Sequence, residues 1–167
     1  MESVFRGSVD ISEIQRALLG AVIAHRSKIS PLLGVIGGIM VKSMQKTFKV
    51  QGRPEKWQEL AESTKEAYRR RGLSPDAHKL LQDEGDLFDS LTYEINSAKI
   101  EAKWGYGETS EYGIYHQFGT SRMPERRFIT SSDGSEIFYE EDRRALMKVI
   151  EDFTDDCFKA ASLAAKI

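Results

Sequence analysis

Apolar positions recur along this chain with two periods, and the change between them divides it. Ile11, Ile14, Leu18 and Val22 recur at helical spacing, and Leu19 and Ile23 widen the stripe. Asp10 or Ser12 can cap that helix, which runs to about Ile29. Glu13 follows Asp10 at the capping-box spacing. Ser30-Pro31 then reads as a cap and a first-turn proline, so a second helix starts there. Its apolar face is Leu32, Val35, Ile36, Ile39, Met40, Met44 and Phe48. Gly34, Gly37 and Gly38 weaken it by about 1 kcal/mol each relative to Ala. Their presence reads as close packing against a neighbouring element.

Gln51 to Pro54 forms a turn, and Ser63 to Arg71 reads as a polar helix whose main aromatic is Tyr68. Asp83 to Gly85 is loop, and Asp86 reads as the cap of a short turn, with Asp89 three residues on. From Leu91 the period becomes two. Leu91, Tyr93 and Ile95 alternate with Thr92, Glu94 and Asn96; after a turn at Ser97-Ala98-Lys99, Ile100, Ala102, Trp104 and Tyr106 alternate with Glu101, Lys103 and Gly105. That predicts a β-hairpin with one apolar face. Glu111 to Phe118 is rich in aromatics and predicts one or two helical turns. Arg122 to Ile129 reads as extended around Pro124, an edge strand, because proline cannot donate to a ladder. A long helix fills the end, from about Tyr139 to Ala165, with Leu146, Val149, Ile150, Phe153 and Cys157 on one stripe. The expected fold is α+β. A small antiparallel sheet, the hairpin plus an edge strand, packs with N-terminal helices and a long C-terminal helix. Residues 1–167 make one expected domain, of ordinary size.

Charge adds little to that pattern. With 24 basic and 26 acidic residues the net charge is −2, too even for a global field that holds nucleic acid. Arg69-Arg70-Arg71 and Arg126-Arg127 are the local exceptions, and the first run fits the end of its helix, where cations favour the dipole. The N-terminus has no apolar core of a signal peptide, and the stretch from Pro31 to Val41 is too short to span a bilayer. The expectation is a soluble protein without a membrane partner.

The survey for chemistry comes back empty. His25, His78 and His116 are not paired at ligand spacing, and no zinc or phosphate-loop motif occurs. Asp83, Glu84, Asp86 and Asp89 lack the ligand spacing of a calcium loop. Cys157, on an apolar stripe, reads as a buried small hydrophobe. No cofactor, metal or catalytic residue is expected.

The informative stretch runs from Tyr112 through His116-Gln117-Phe118-Gly119 to Met123-Pro124-Glu125-Arg126-Arg127-Phe128-Ile129. It resembles the signature of the phage virion morphogenesis family, which includes the tail-completion proteins of Mu-like phages. That signature is a tyrosine, two or three residues, His-Gln-Phe-Gly, a short gap, then Pro-Ala-Arg-Pro-Phe-Leu-Gly. Trp57 to Thr64 and Gly85 to Leu91 resemble two further family segments, so the likeness covers roughly Pro31 to Phe153. Glu125, Arg127 and Thr130 depart from the usual Ala, Pro and Gly, and Glu59 and Glu62 replace prolines or small residues. Residues 1–29 are an addition or the family's variable end.

The resemblance implies a structural assembly protein of a tailed phage or prophage, and not an enzyme. It implies a homo-oligomeric ring, a hexamer on the virion, at the neck or the head-proximal end of the tail. Tail completion or head–tail joining would be its work; a tail terminator or, behind it, a nucleic-acid-binding regulator is the alternative. Its partners would be itself and the neighbouring neck, connector and tail proteins. DNA would pass through the channel without sequence-specific binding. It would reside in the virion and, during assembly, the host cytoplasm.

The residues make sense apart from the family. A segment this short cannot bury Tyr112, Tyr115 and Phe118 together in a small core. Aromatics with arginines are the composition of an interface centre. The expected contact residues are Tyr112, Tyr115, His116, Gln117, Phe118, Arg122, Arg126, Arg127 and Phe128. The other reading, open at this point, is a helix packed on the hairpin with His116 bonded to a backbone carbonyl.

Overall fold

The computed structural model describes residues 28–107, 112–129 and 139–164, with side chains in the last helix as far as Lys159. The first predicted helix lies outside these residues but for its end, where Ile29 already opens the next one. That helix, α1 (Ile29–Val50), is capped at Lys28 without a side-chain bond. Pro31 is therefore its third residue, still within the first turn, where no intrahelical donor is needed.

The hairpin and the C-terminal helix both pack on α1, which explains its burial pattern. Ile29, Leu32, Leu33, Ile36, Met40, Met44 and Phe48 are buried, together with the small polar Ser43 and Thr47. Two partners need a stripe wider than one face. Leu33 belongs to that stripe, whereas Val35, predicted to be inside, is half exposed. The expected close approach holds at Gly37, where an added Cβ would collide with the Tyr93 ring. It fails at Gly38, which has open space around it.

The strands are β1 (Leu91–Asn96) and β2 (Glu101–Tyr106), antiparallel. The register sets Leu91 opposite Tyr106, Tyr93 opposite Trp104 and Ile95 opposite Ala102, so the apolar residues share one face. Leu91, Trp104 and Tyr106 are buried, while Ile95 near the turn is exposed. Asn96 shapes that turn by accepting the N–H groups of Ala98 (3.1 Å) and Lys99 (3.2 Å).

Short helices complete the frame: α2 (Glu62–Arg70), α3 (Asp86–Asp89) and α4 (Gly113–Phe118). Gly85, and not Asp86, occupies the cap position of α3, with no side-chain cap bond. The last helix, α5 (Glu140–Ala164), buries Leu146, Ile150 and Cys157. Its first turn is fastened to α1 through Arg53. Arg53 Nε donates to Thr47 Oγ1 (2.9 Å), Nη2 to the Ser43 carbonyl (2.7 Å), and the guanidinium pairs with Asp142 (3.3 Å) and with Glu141. Ser43 Oγ donates to Asp142, and the Tyr139 ring lies 3.9 Å from the guanidinium carbon. Lys46 and Arg53 beside Glu141 hold its carboxyl below the usual range.

The chain is α+β, with a two-stranded antiparallel sheet among the described residues. The edge strand expected from Arg122 to Ile129 is absent. Only an isolated bridge, Thr120 to Met123, forms there. The donors of that arm are used elsewhere, as described next, and Pro124 has none.

Candidate functional site

The segment from Tyr112 to Ile129 is a short helix and an arm that folds back beneath it. Gly113 lets the helix sit close to the core, since an added Cβ would stand 3.0 Å from both Leu87 and the Tyr106 ring. Gln117, only 2% exposed, points inward. Its Oε1 accepts the N–H groups of Phe128 (3.0 Å) and Ile129 (3.1 Å), bonds a third strand would otherwise have made. The His116 carbonyl accepts the Arg126 N–H at 2.6 Å. Gly119 turns the chain at φ +68°, and a Cβ there would lie 2.8 Å from the Glu125 nitrogen, so glycine is required.

Phe128 thereby reaches the core, edge-on to Phe48 with ring centroids 5.1 Å apart. Trp57, from the second resembling segment, packs on Phe48 and donates its indole N–H to the Arg127 carbonyl (2.9 Å). Arg126 is 5% exposed and turned inward. Its Nε and Nη2 donate to the Gln58 carbonyl (3.2 and 3.0 Å), and Nη2 also to that of Glu59 (3.3 Å). Arg127 pairs with Glu125 of its own arm at 3.1 Å.

These placements put part of the expected contact residues within the domain. Gln117, Arg126 and Phe128 are inside their own domain, and the arm is fastened to it. The reason is the set of bonds just given, which consume the arm's polar groups locally. The outer side of α4 is different. Tyr112, Tyr115 and Phe118 follow one another at three-residue spacing and are 41%, 57% and 57% exposed. Arg122 is exposed beyond them. The helix is thus pinned below and bare above.

His116 stands between the two. Its carbonyl acts as an acceptor, but its Nδ1 is buried with no hydrogen-bond partner, so the expected bond from its ring to a backbone carbonyl is not made at that atom. Burial, and then the Arg126 charge, push its pKa down. Burial likewise pushes Arg126 down.

Beside α4 opens a groove of about 490 Å³. One wall is Tyr68 of α2 with Leu60 and Ala61 just before that helix, a second is the loop from Lys79 into the start of α3 at Asp86, and the third is the arm with Arg122, Met123 and Arg126. Gln51 ties the loop wall to α1 by accepting the Leu80 N–H (2.6 Å). The arginine run near this wall is spoken for: Arg69 faces Glu62 (3.8 Å), Arg70 faces Glu66 (3.5 Å) and Arg71 faces Asp83 (3.7 Å). Among the described residues no three histidine, cysteine or acidic side chains converge as metal ligands. No helix among them is long and apolar enough to cross a membrane.

Sequence reasoning missed Gln58 and Glu59, whose backbone carbonyls hold Arg126, and it missed Arg53. Backbone acceptors leave no trace in residue types, and Arg53 lies in a turn without periodicity.

The His-Gln-Phe-Gly stretch thus builds a helix and arm on a small α+β frame. The pattern of the phage virion morphogenesis family matches residues 9–151, and the chain belongs to that family. It is a family of structural and assembly proteins of the phage virion. Comparison with curated proteins and with solved structures gives no match.

Proposed function

We propose that this chain acts by binding alone, as a ring subunit at the phage neck or the head-proximal end of the tail, where it completes the tail or joins it to the head. One observation carries this reading. Three aromatics stand bare on a helix that is rigidly held from beneath, and such preorganised aromatics lose little entropy when a partner covers them. The partners are further copies and the neighbouring neck, connector and tail proteins. A ring requires unlike surfaces that meet head to tail and close, and six copies would match a sixfold tail tube. DNA passes the ring without sequence-specific contact, consistent with the paired arginine run.

The test separates surface from core. Tyr115→Ala with Phe118→Ala should leave stability within about 0.5 kcal/mol of the parent and abolish particle assembly. Phe128→Ala should instead cost about 3–5 kcal/mol in denaturant titration. Normal particles from the Tyr115/Phe118 double variant would remove the basis of the reading.

A further inference from the structure

Among the described residues, Phe158 and the groove are each left uncovered, in complementary ways. Phe158, 73% exposed, lies near the end of α5. Exposed Met147 precedes it by three turns on the same face. Glu151 and Asp155 fall within about 60° of the line joining them. Both are exposed, and neither has an ion-pair partner among the described residues. Residues 151–159 carry four carboxylates against one lysine, so this end is acidic around an aromatic.

The groove offers the converse. Leu60, Ala61 and Met123 give it apolar lining, and Lys79 and Arg122 are exposed at it without ion-pair partners among the described residues. Arg126 is buried there with backbone carbonyls as its hydrogen-bond partners and, among the described residues, no carboxylate. A buried cation without a counter-charge is costly, and an incoming carboxylate relieves that cost. The opposite wall carries Asp83, Glu84 and Asp86, but Asp83 already faces Arg71 and His78. Glu84 and Asp86 have no ion-pair partner among the described residues, so that wall repels the acids of a guest toward the arginine side. A volume of about 490 Å³ exceeds what one aromatic side chain needs.

A chain cannot fill its own groove this way. The start of α5 is tied to Arg53, in the same turn segment that leads to Gln58 and Glu59, whose carbonyls hold Arg126. Phe158 lies about 24 Å farther along α5. The two surfaces are different patches of the chain, as a head-to-tail contact requires. We infer that the Phe158 end of α5 of one copy enters the groove between α2 and α4 of the next, with Phe158 on the apolar lining and Glu151 and Asp155 toward Arg122 and Arg126. The inference rests on the ring reading above and names its joint.

The test uses the full chain in assembled particles. A photo-crosslinking residue at position 158 should join a second copy within residues 60–68 or 112–126. Arg122→Glu and Asp155→Arg should each lower particle yield about tenfold, and together restore it, as coupled charge pairs do. A cross-link to another surface or another protein, no cross-link, or no recovery in the double variant overturns the joint. If particles survive Arg122→Glu but not the Tyr115/Phe118 variant, the joint is wrong and the ring reading stands. A single copy per particle sinks both.

Discussion

Among the described residues two arginines are buried, and they are satisfied differently. Arg53 meets Asp142 and Glu141, the Thr47 and Ser43 hydroxyls, the Ser43 carbonyl and the face of Tyr139. Arg126 meets carbonyl oxygens only. The first is a closed cluster in which each charge has its counterpart, and it fixes the start of α5 against α1. The second holds the arm in place while its charge remains uncompensated beside an open groove. A saturated buried ion belongs to the architecture, and an unsaturated one at a cavity is where a partner's charge gains most.

Asp142→Ala should cost the most stability of the three variants that test this comparison. It strands Arg53 in the interior without its buried carboxylate, at a cost of about 3–5 kcal/mol. Urea titration of the full chain measures it. A cost below about 1 kcal/mol, the range of surface pairs, would mean that water or Glu141 replaces Asp142 and that the cluster is not closed.

Arg126→Met should cost less, because no counter-charge is stranded. The Gln58 and Glu59 carbonyls lose their donor, a penalty of about 1–3 kcal/mol. Particle assembly should nonetheless fail in this variant. Equal costs for Asp142→Ala and Arg126→Met, with assembly intact in the latter, would erase the distinction between the two arginines.

The smallest effect concerns His116. Its folded pKa lies below the ordinary 6.5, first through burial and then through Arg126. The unfolded chain therefore binds the proton more readily. The stability His116 contributes is present above about pH 6.5 and is lost as pH falls through the folded value. His116→Gln should flatten the fall of the melting temperature in that window. Arg126→Met should make the fall smaller and end it at higher pH, since the folded pKa moves back toward the ordinary value once the lowering charge is gone. Identical pH profiles in all three proteins would show that His116 titrates as though exposed.

The sequence by itself determined the helical stripe of α1, the hairpin, the stripe of α5 and the aromatic helix at Tyr112 to Phe118. It also carried the family, through His-Gln-Phe-Gly. These are legible because burial against a helix or sheet imposes a period on residues close in sequence. What the tertiary structure decided has no period. Leu33 is buried and Val35 is not, because two partners flank α1. The arm is no strand, because the Gln117 amide, 11 and 12 residues away, takes the donors of Phe128 and Ile129. Arg126 found its acceptors 68 and 67 residues earlier, and Arg53 found Asp142 89 residues later. A polar side chain's partner is fixed by which backbone and side-chain atoms the completed packing brings within about 3 Å. Residue type gives the capacity to bond, and only the assembled fold gives the direction.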